Sequence, residues 1–123
     1  MSIDATNVTV LVVEDEPLIR MHGVDILEEA GFSVVEAADA DEALVVLGDG
    51  SVHLLFSDID MPGSIDGLEL ARIVHARWPD IHLVLTSGHH RMQDALVPGI
   101  GKFVRKPWTS AVLMDCFEGL LKA

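Results

Sequence analysis

Five side chains with reactive or charged ends come directly after short apolar runs in this chain: Glu14 and Asp15, Asp58, Thr86 and Lys106. Carboxylates crowded together repel one another unless protons or a cation intervene. A hard divalent ion held by oxygen ligands resolves that conflict, and Mg²⁺ ordinarily takes one or two carboxylates together with waters and phosphate oxygens. With the charge screened, an aspartate can attack phosphorus and form an aspartyl phosphate. Lys106 would bring a compact positive charge to a phosphoryl oxygen. The Thr86 hydroxyl could donate a hydrogen bond to the same group. Singly, each residue has a bland reading as solvated loop charge, strand exit or helix cap. Four strand ends with matched chemistry are a far rarer accident.

The elements that must position these residues are legible in the hydrophobic pattern. Val8–Val13, Ser33–Glu36, Val52–Ser57, Ile81–Leu85 and Lys102–Arg105 read as five strands. The first, third and fourth are almost continuously apolar, as strands buried on both faces of a parallel sheet must be. A helix is expected from Pro17, with Leu18, Met21, Val24 and Leu27 at 3–4 spacing and Gly31 as its stop. Asp39 with Glu42 fits a capping box before Ala43, Leu44 and Leu47. Asp66 caps a third helix with Leu68, Ala71, Val74 and Trp78, closed by Pro79. A short fourth runs from about Arg91 to Val97, ending at Pro98-Gly99. The last starts near Thr109 and carries Val112, Leu113, Cys116, Phe117 and Leu120.

Five such βα units in this length predict an α/β, doubly wound (βα)5 fold with helices on both faces of a five-stranded parallel sheet. Open sheets of this kind bind ligands outside the carboxyl ends of their strands, at the switch point of strand order. If the order is 2-1-3-4-5, an order borrowed from known sheets of this type, Asp15 and Asp58 converge there.

At 123 residues the chain has room for one domain, 1–123. Half of its residues are hydrophobic and the net charge is −12. So negative a surface repels phosphate backbones and anionic leaflets, which excludes direct nucleic-acid binding and membrane adhesion as expectations. The longest unbroken apolar run, Ala43–Leu47, is far short of the ~20 residues of a spanning helix. The opening MSIDATN has neither a basic n-region nor an apolar h-region. The single Cys116 cannot form an internal disulfide. A cytoplasmic location is the expectation.

Four segments together carry a family resemblance: VLVVEDEP (10–17), FSDIDMPGSIDG (56–67), LVLTSG (83–88) and FVRKPW (103–108). In this order, over almost the whole chain, they resemble the receiver domain of two-component response regulators. The resemblance implies the flavodoxin-like fold with strand order 2-1-3-4-5. It implies that Asp58 accepts a phosphoryl group from the phosphohistidine of a sensor histidine kinase or phosphotransfer protein. Asp15, Asp58 and the backbone carbonyl of Asp60 would hold Mg²⁺, with Glu14 supporting through water. Thr86 would shift toward the phosphoryl group, Phe103 would turn inward after it, and Lys106 would pair with the phosphate. Such a domain switches protein contacts with a downstream partner, or with a second copy of itself, and catalyses only its own phosphorylation and dephosphorylation.

Three residues or segments depart from the family pattern. Asp60, two residues after the proposed acceptor, adds negative charge beside it. Ala95–Lys102 carries Pro98 and two glycines where the fourth helix usually extends. Trp108 replaces the usual phenylalanine and reads as a hydrophobic plug beside the last helix. His89 and His90 follow Thr86 in an expected loop, while His22, His53, His75 and His82 are scattered structural or surface residues. Met21 and Met114 are expected on core-facing stripes, and Cys116 as a buried small hydrophobe.

The same residues bear on other functions, among them a hydrolase and a flavin or nucleotide module, while a receiver-like fold that works only by docking is disfavoured by the intact Asp58, Thr86 and Lys106 set. Asp58-Ile59-Asp60 fits the D-x-D start of a haloacid-dehalogenase-like phosphoaspartate hydrolase, yet Asp115 and Glu118, the acids beyond Lys106, fall within an expected helix. A flavin or nucleotide module of flavodoxin type needs a Gly- or Ser/Thr-rich loop after the first strand. Glu14-Asp15-Glu16 stands there instead.

Overall fold

A computed structural model describes residues 7–88, 97–99 and 101–121. Five strands, β1 (Thr9–Val13), β2 (Ser33–Ala37), β3 (Leu54–Asp58), β4 (His82–Ser87) and β5 (Lys102–Arg105), pair in parallel in the order β2-β1-β3-β4-β5. Four helices are described: α1 (Pro17–Glu29), α2 (Ala40–Leu47), α3 (Gly67–Arg77) and α4 (Ser110–Leu121). His89, His90 and most of the helix expected over Arg91–Val97 lie outside the described residues. Among the described residues, no helix is long and apolar enough to cross a membrane.

The sheet separates two cores, and strand alternation assigns its residues between them. Leu11, Val13, Leu55, Leu83 and Leu85 face α2 and α3, packing on Ala40, Ala43, Leu47, Leu70, Ala71 and Val74. Val10, Val12, Leu54, Phe56, Val84 and Val104 face the other way, onto Val24, Ile26 and Leu27 of α1 and Leu113, Phe117 and Leu120 of α4. The doubly wound α/β sheet is the expected one.

Helix ends follow their local chemistry. Asp39 Oδ1 accepts the Glu42 amide at 2.9 Å while Glu42 Oε1 accepts that of Ala38 at 3.2 Å, so α2 begins with reciprocal capping. Asp66 Oδ1 caps α3 through the Glu69 amide at 2.9 Å. Pro17 occupies the first turn of α1, and Gly31, at φ 99°, lets the chain leave that helix.

The apolar stripe of α1 differs from the expected one. Gly23, Val24, Ile26 and Leu27 are buried, whereas Leu18 is 80 % and Met21 56 % exposed. At about 100° per residue, the nine steps from Leu18 to Leu27 end half a turn away, so a spacing repeated at three residues drifts off the core. In α4, Val112 lies about 100° round the helix from Leu113 and is exposed, Cys116 and Met114 are only partly buried, and Leu113, Phe117 and Leu120 carry the contact.

Candidate functional site

Strand alternation gathers the polar residues at one rim. Val12, Phe56, Val84 and Val104 share the α1/α4 face of the sheet. Two positions further along the chain from each come Glu14, Asp58, Thr86 and Lys106, which a period of two returns to that face. Asp58 stands opposite Thr86 in the β3–β4 register, and Thr86 opposite Val104 in β4–β5.

The close approach of α3 fixes the loop behind β3. The Gly67 amide donates to the Ile59 carbonyl at 2.9 Å. A Cβ on Gly67 would collide with the Asp58 carbonyl oxygen, so glycine is the residue this contact admits. Arg20 anchors the loop after β1: its Nη1 donates to the Glu14 carbonyl at 2.7 Å and its Nε to Glu36 Oε1 at 3.0 Å.

Lys106 Nζ is the centre of the charge arrangement. It lies 3.2 Å from both carboxylate oxygens of Glu14 and 3.2 Å from Asp58 Oδ2. Glu14 and Asp58 are buried, while Asp15 is partly exposed beside them. Burial, followed by the hydrogen bond and negative charge of Asp58, pushes the Glu14 carboxyl up to about 7, against the pull of Lys106. For Lys106, burial lowers the pKa, but Asp58 and Glu14 outweigh it and hold the ammonium above the usual lysine range. The ammonium is therefore firmly charged, and the acid pair has a strong appetite for a further positive charge.

Glu14, Asp15 and Asp58 each present one carboxylate oxygen within 4.8 Å of the others. An all-oxygen, anionic set suits a hard cation such as Mg²⁺ and offers nothing to a soft one. These residues, with Asp60, Gly88 and Lys106, line a cleft of about 300 Å³. A larger groove of about 450 Å³, between His75, Ile81, His82 and Pro98 at the other end of the strands, gathers no such ligand cluster among the described residues.

Asp60 borders the cleft as well. Its Oδ2 accepts the Ser87 hydroxyl at 2.6 Å, joining the ends of β3 and β4, and its amide donates to Asp58 Oδ1 at 3.3 Å. Phe103 is half-buried against the α2/α3 core, on the sheet face opposite Val104. Trp108 is buried as a plug against α1 and α4, but it is also polar in its contact: Nε1 donates to Thr86 Oγ1 at 2.8 Å. Neither that bond nor the Asp60–Ser87 bond was apparent from spacing. The clue to the first is that a buried indole N–H needs an acceptor, and Trp108 lies two residues after Lys106.

The fold and this acidic rim define a doubly wound α/β module with an oxygen-lined acidic cleft at the carboxyl ends of its strands, and comparison with known proteins is specific. A model of the response regulator receiver domain matches residues 10–118. The chain belongs to that family and is a receiver domain of two-component response regulators. The nitrogen assimilation regulatory protein NtrX of Azorhizobium caulinodans is 36% identical over 117 residues, 92% of this chain and 26% of that protein. Sensor kinase CckA of Brucella abortus is 36% identical over 121 residues, 93% of this chain and 12% of that protein. The chain thus spans about a quarter or less of these relatives. Among solved structures, the receiver domain of hybrid histidine kinase CckA superposes with a TM-score of 0.79 at 30% identity, covering 92% of this chain and 98% of that one. The response regulator TrrA of Thermotoga maritima, solved with Mg²⁺ and a beryllium fluoride, gives 0.81 at 29% identity, covering 93% and 99%. The haloacid-dehalogenase reading gains no support from fold or relatives.

Proposed function

We propose that Asp58 is the phosphoacceptor of this receiver domain and that Glu14, Asp15, Asp60, Thr86, Phe103 and Lys106 serve its phosphorylation and readout. The observation that carries this reading is the Lys106 ammonium, 3.2 Å from the buried carboxylates of both Glu14 and Asp58 at the floor of an open cleft. A carboxylate so placed is accessible to an incoming phosphohistidine. Asp58 attacks phosphorus, the new O–P bond forms as the N–P bond breaks, and the imidazole leaves. Lys106, exchanging its contact with Asp58 Oδ2 for the incoming group, neutralises one phosphoryl oxygen.

Asp15 and Asp58, with the backbone carbonyl of Asp60, are the residues that would hold Mg²⁺, and Glu14 would reach it through water. When bound, the ion supplies the charge screening that lets an anionic phosphoryl group approach these acids. Thr86 donates its hydroxyl to the phosphoryl group, and Phe103 follows from the neighbouring strand. The phosphoryl group then biases a two-state balance through local charge and packing. The donor is a sensor histidine kinase or phosphotransfer protein, the output is a changed protein contact, and the reaction takes place in the cytoplasm. No substrate other than the domain itself is turned over.

The test is treatment with acetyl phosphate and Mg²⁺ followed by mass spectrometry of the modified residue. A phosphoryl adduct on Asp58, absent without Mg²⁺, is expected. Modification at another aspartate would defeat the assignment.

A further inference from the structure

We propose that Trp108 is a positioning residue for Thr86: its indole N–H sets the hydroxyl so that the hydroxyl proton is presented to the phosphoryl group on Asp58. This rests on the assignment of Asp58 as acceptor. The bond from Trp108 Nε1 to Thr86 Oγ1 is 2.8 Å long and buried at both ends. An indole nitrogen can only donate, so the direction of this bond is unambiguous. Thr86 Oγ1 is held as the acceptor, and its single proton must point along another tetrahedral direction. Among the described residues no second partner takes that proton. Asp58 is the cross-strand neighbour of Thr86. An oxygen arriving on Asp58 therefore meets a hydroxyl already committed to donate.

The indole is itself held from several sides. It stacks on His22 at a centroid distance of 5.4 Å with an interplanar angle of 2°, and meets Phe56 at 5.4 Å and 56°. Gly23 makes room for it, since a Cβ there would come within 3.1 Å of Trp108 Cη2. A phenylalanine in this position would keep the hydrophobic contact and lose the donor. Without it, the buried Thr86 hydroxyl rotates among orientations, and presenting its proton costs part of the hydrogen bond gained.

The experiment is a double-mutant cycle of Trp108→Phe and Thr86→Val, read in two ways. First, the Trp108 indole ¹H–¹⁵N signal, assigned with Trp78→Phe, is followed for hydrogen exchange in the metal-free protein. It is expected to lose protection in Thr86→Val, and unchanged protection would overturn the bond. Second, beryllofluoride is titrated in the presence of Mg²⁺. Trp108→Phe is expected to weaken its binding about fivefold, the scale of one buried hydrogen bond. The double variant is expected to bind no worse than Thr86→Val alone, because the effect runs through the hydroxyl. Additive losses would overturn the proposal, since a merely structural tryptophan weakens the site regardless of residue 86. If Trp108→Phe does not fold, the benzothienyl analogue of tryptophan in the Trp78→Phe background replaces N–H by sulfur at nearly the same shape, and the same fivefold loss is required. Should the unaltered protein be phosphorylated elsewhere than Asp58, the acceptor assignment falls and this proposal with it. Labelling at Asp58 with an additive cycle removes this proposal alone.

Discussion

Replacing Lys106 by methionine tests the electrostatics of the rim most directly. The substitution keeps the length of the stem and removes the one charge that lies 3.2 Å from both Glu14 and Asp58. At that separation and an effective dielectric constant of about 20, each pair has a Coulomb energy of about 5 kcal/mol, much of it offset by the cost of desolvating the three groups. Removing one member of a buried ion pair leaves the rest uncompensated and costs about 3–5 kcal/mol. Lys106 is 17% and the two carboxylates 5% exposed, so solvent screens little of this.

The cost must depend on pH. In the parent protein the Glu14 carboxyl lies at about 7, against an ordinary 4.5 in the unfolded chain. The folded state therefore binds this proton more tightly, so the associated stability is complete below about 4.5 and is lost as pH rises through about 7. Its full span is about 3 kcal/mol at 1.36 kcal/mol per pH unit. Without Lys106 the proton is held more tightly still. At pH 5.5 one carboxyl is then neutral, and the variant should lose only about 2 kcal/mol; at pH 8 it should lose about 3–5.

For a domain of this size, the pH 8 loss corresponds to a Tm lower by about 12–20 °C, and the pH 5.5 loss to about 8 °C. Thermal unfolding in chelator measures both. Added Mg²⁺ should raise the Tm of the variant more than that of the parent protein, because no ammonium competes for the carboxylates. Equal melting temperatures in chelator at pH 8, or a gap unaffected by pH and by Mg²⁺, would refute the reasoning.

Other substitutions probe the same rim. Asp58→Asn should abolish acetyl-phosphate labelling and, by removing the negative charge beside Glu14, raise the metal-free Tm at pH 8 by a few degrees; a lowered Tm would show that the two carboxylates do not repel. Gly67→Ala must push α3 away from the Asp58 carbonyl, costing about 1–3 kcal/mol and weakening Mg²⁺ binding by displacing the Asp60 backbone; calorimetric titration and unfolding check both. Asp60→Asn removes a charge from the cleft and weakens the tie to Ser87, so the lifetime of the phosphorylated form should change; equal decay rates measured by mass spectrometry would exclude a role for this carboxylate.

Much of this organisation was readable in the sequence because it follows from period two. Nearly continuous apolar runs located the central strands, and the first polar residues after them marked the rim. The capping acids Asp39 and Asp66 were equally plain, since their chemistry is local. What escaped was lateral. Leu18 and Met21 match a three-residue count along α1, but the buried side of the helix is set by where β1 and α4 lie. The contact between Trp108 and Thr86 joins residues 22 positions apart, and the Asp60–Ser87 bond joins residues 27 apart.

That division has a mechanical consequence. The same alternation that puts Asp58 and Thr86 at the rim puts Phe56 and Val84 beneath them, in the core shared with Trp108. Trp108 touches both levels, by a hydrogen bond to Thr86 and a ring contact with Phe56. A close-packed interior transmits a displacement where a fluid one would absorb it. If Thr86 shifts toward a phosphoryl group, as proposed above, the indole bonded to it must adjust, and that indole is stacked on His22, an exposed residue of α1. Contacts thus run from Thr86 through Trp108 to the surface of α1 around His22, with Leu18 beside it on the same groove, on the opposite side of the sheet from Phe103.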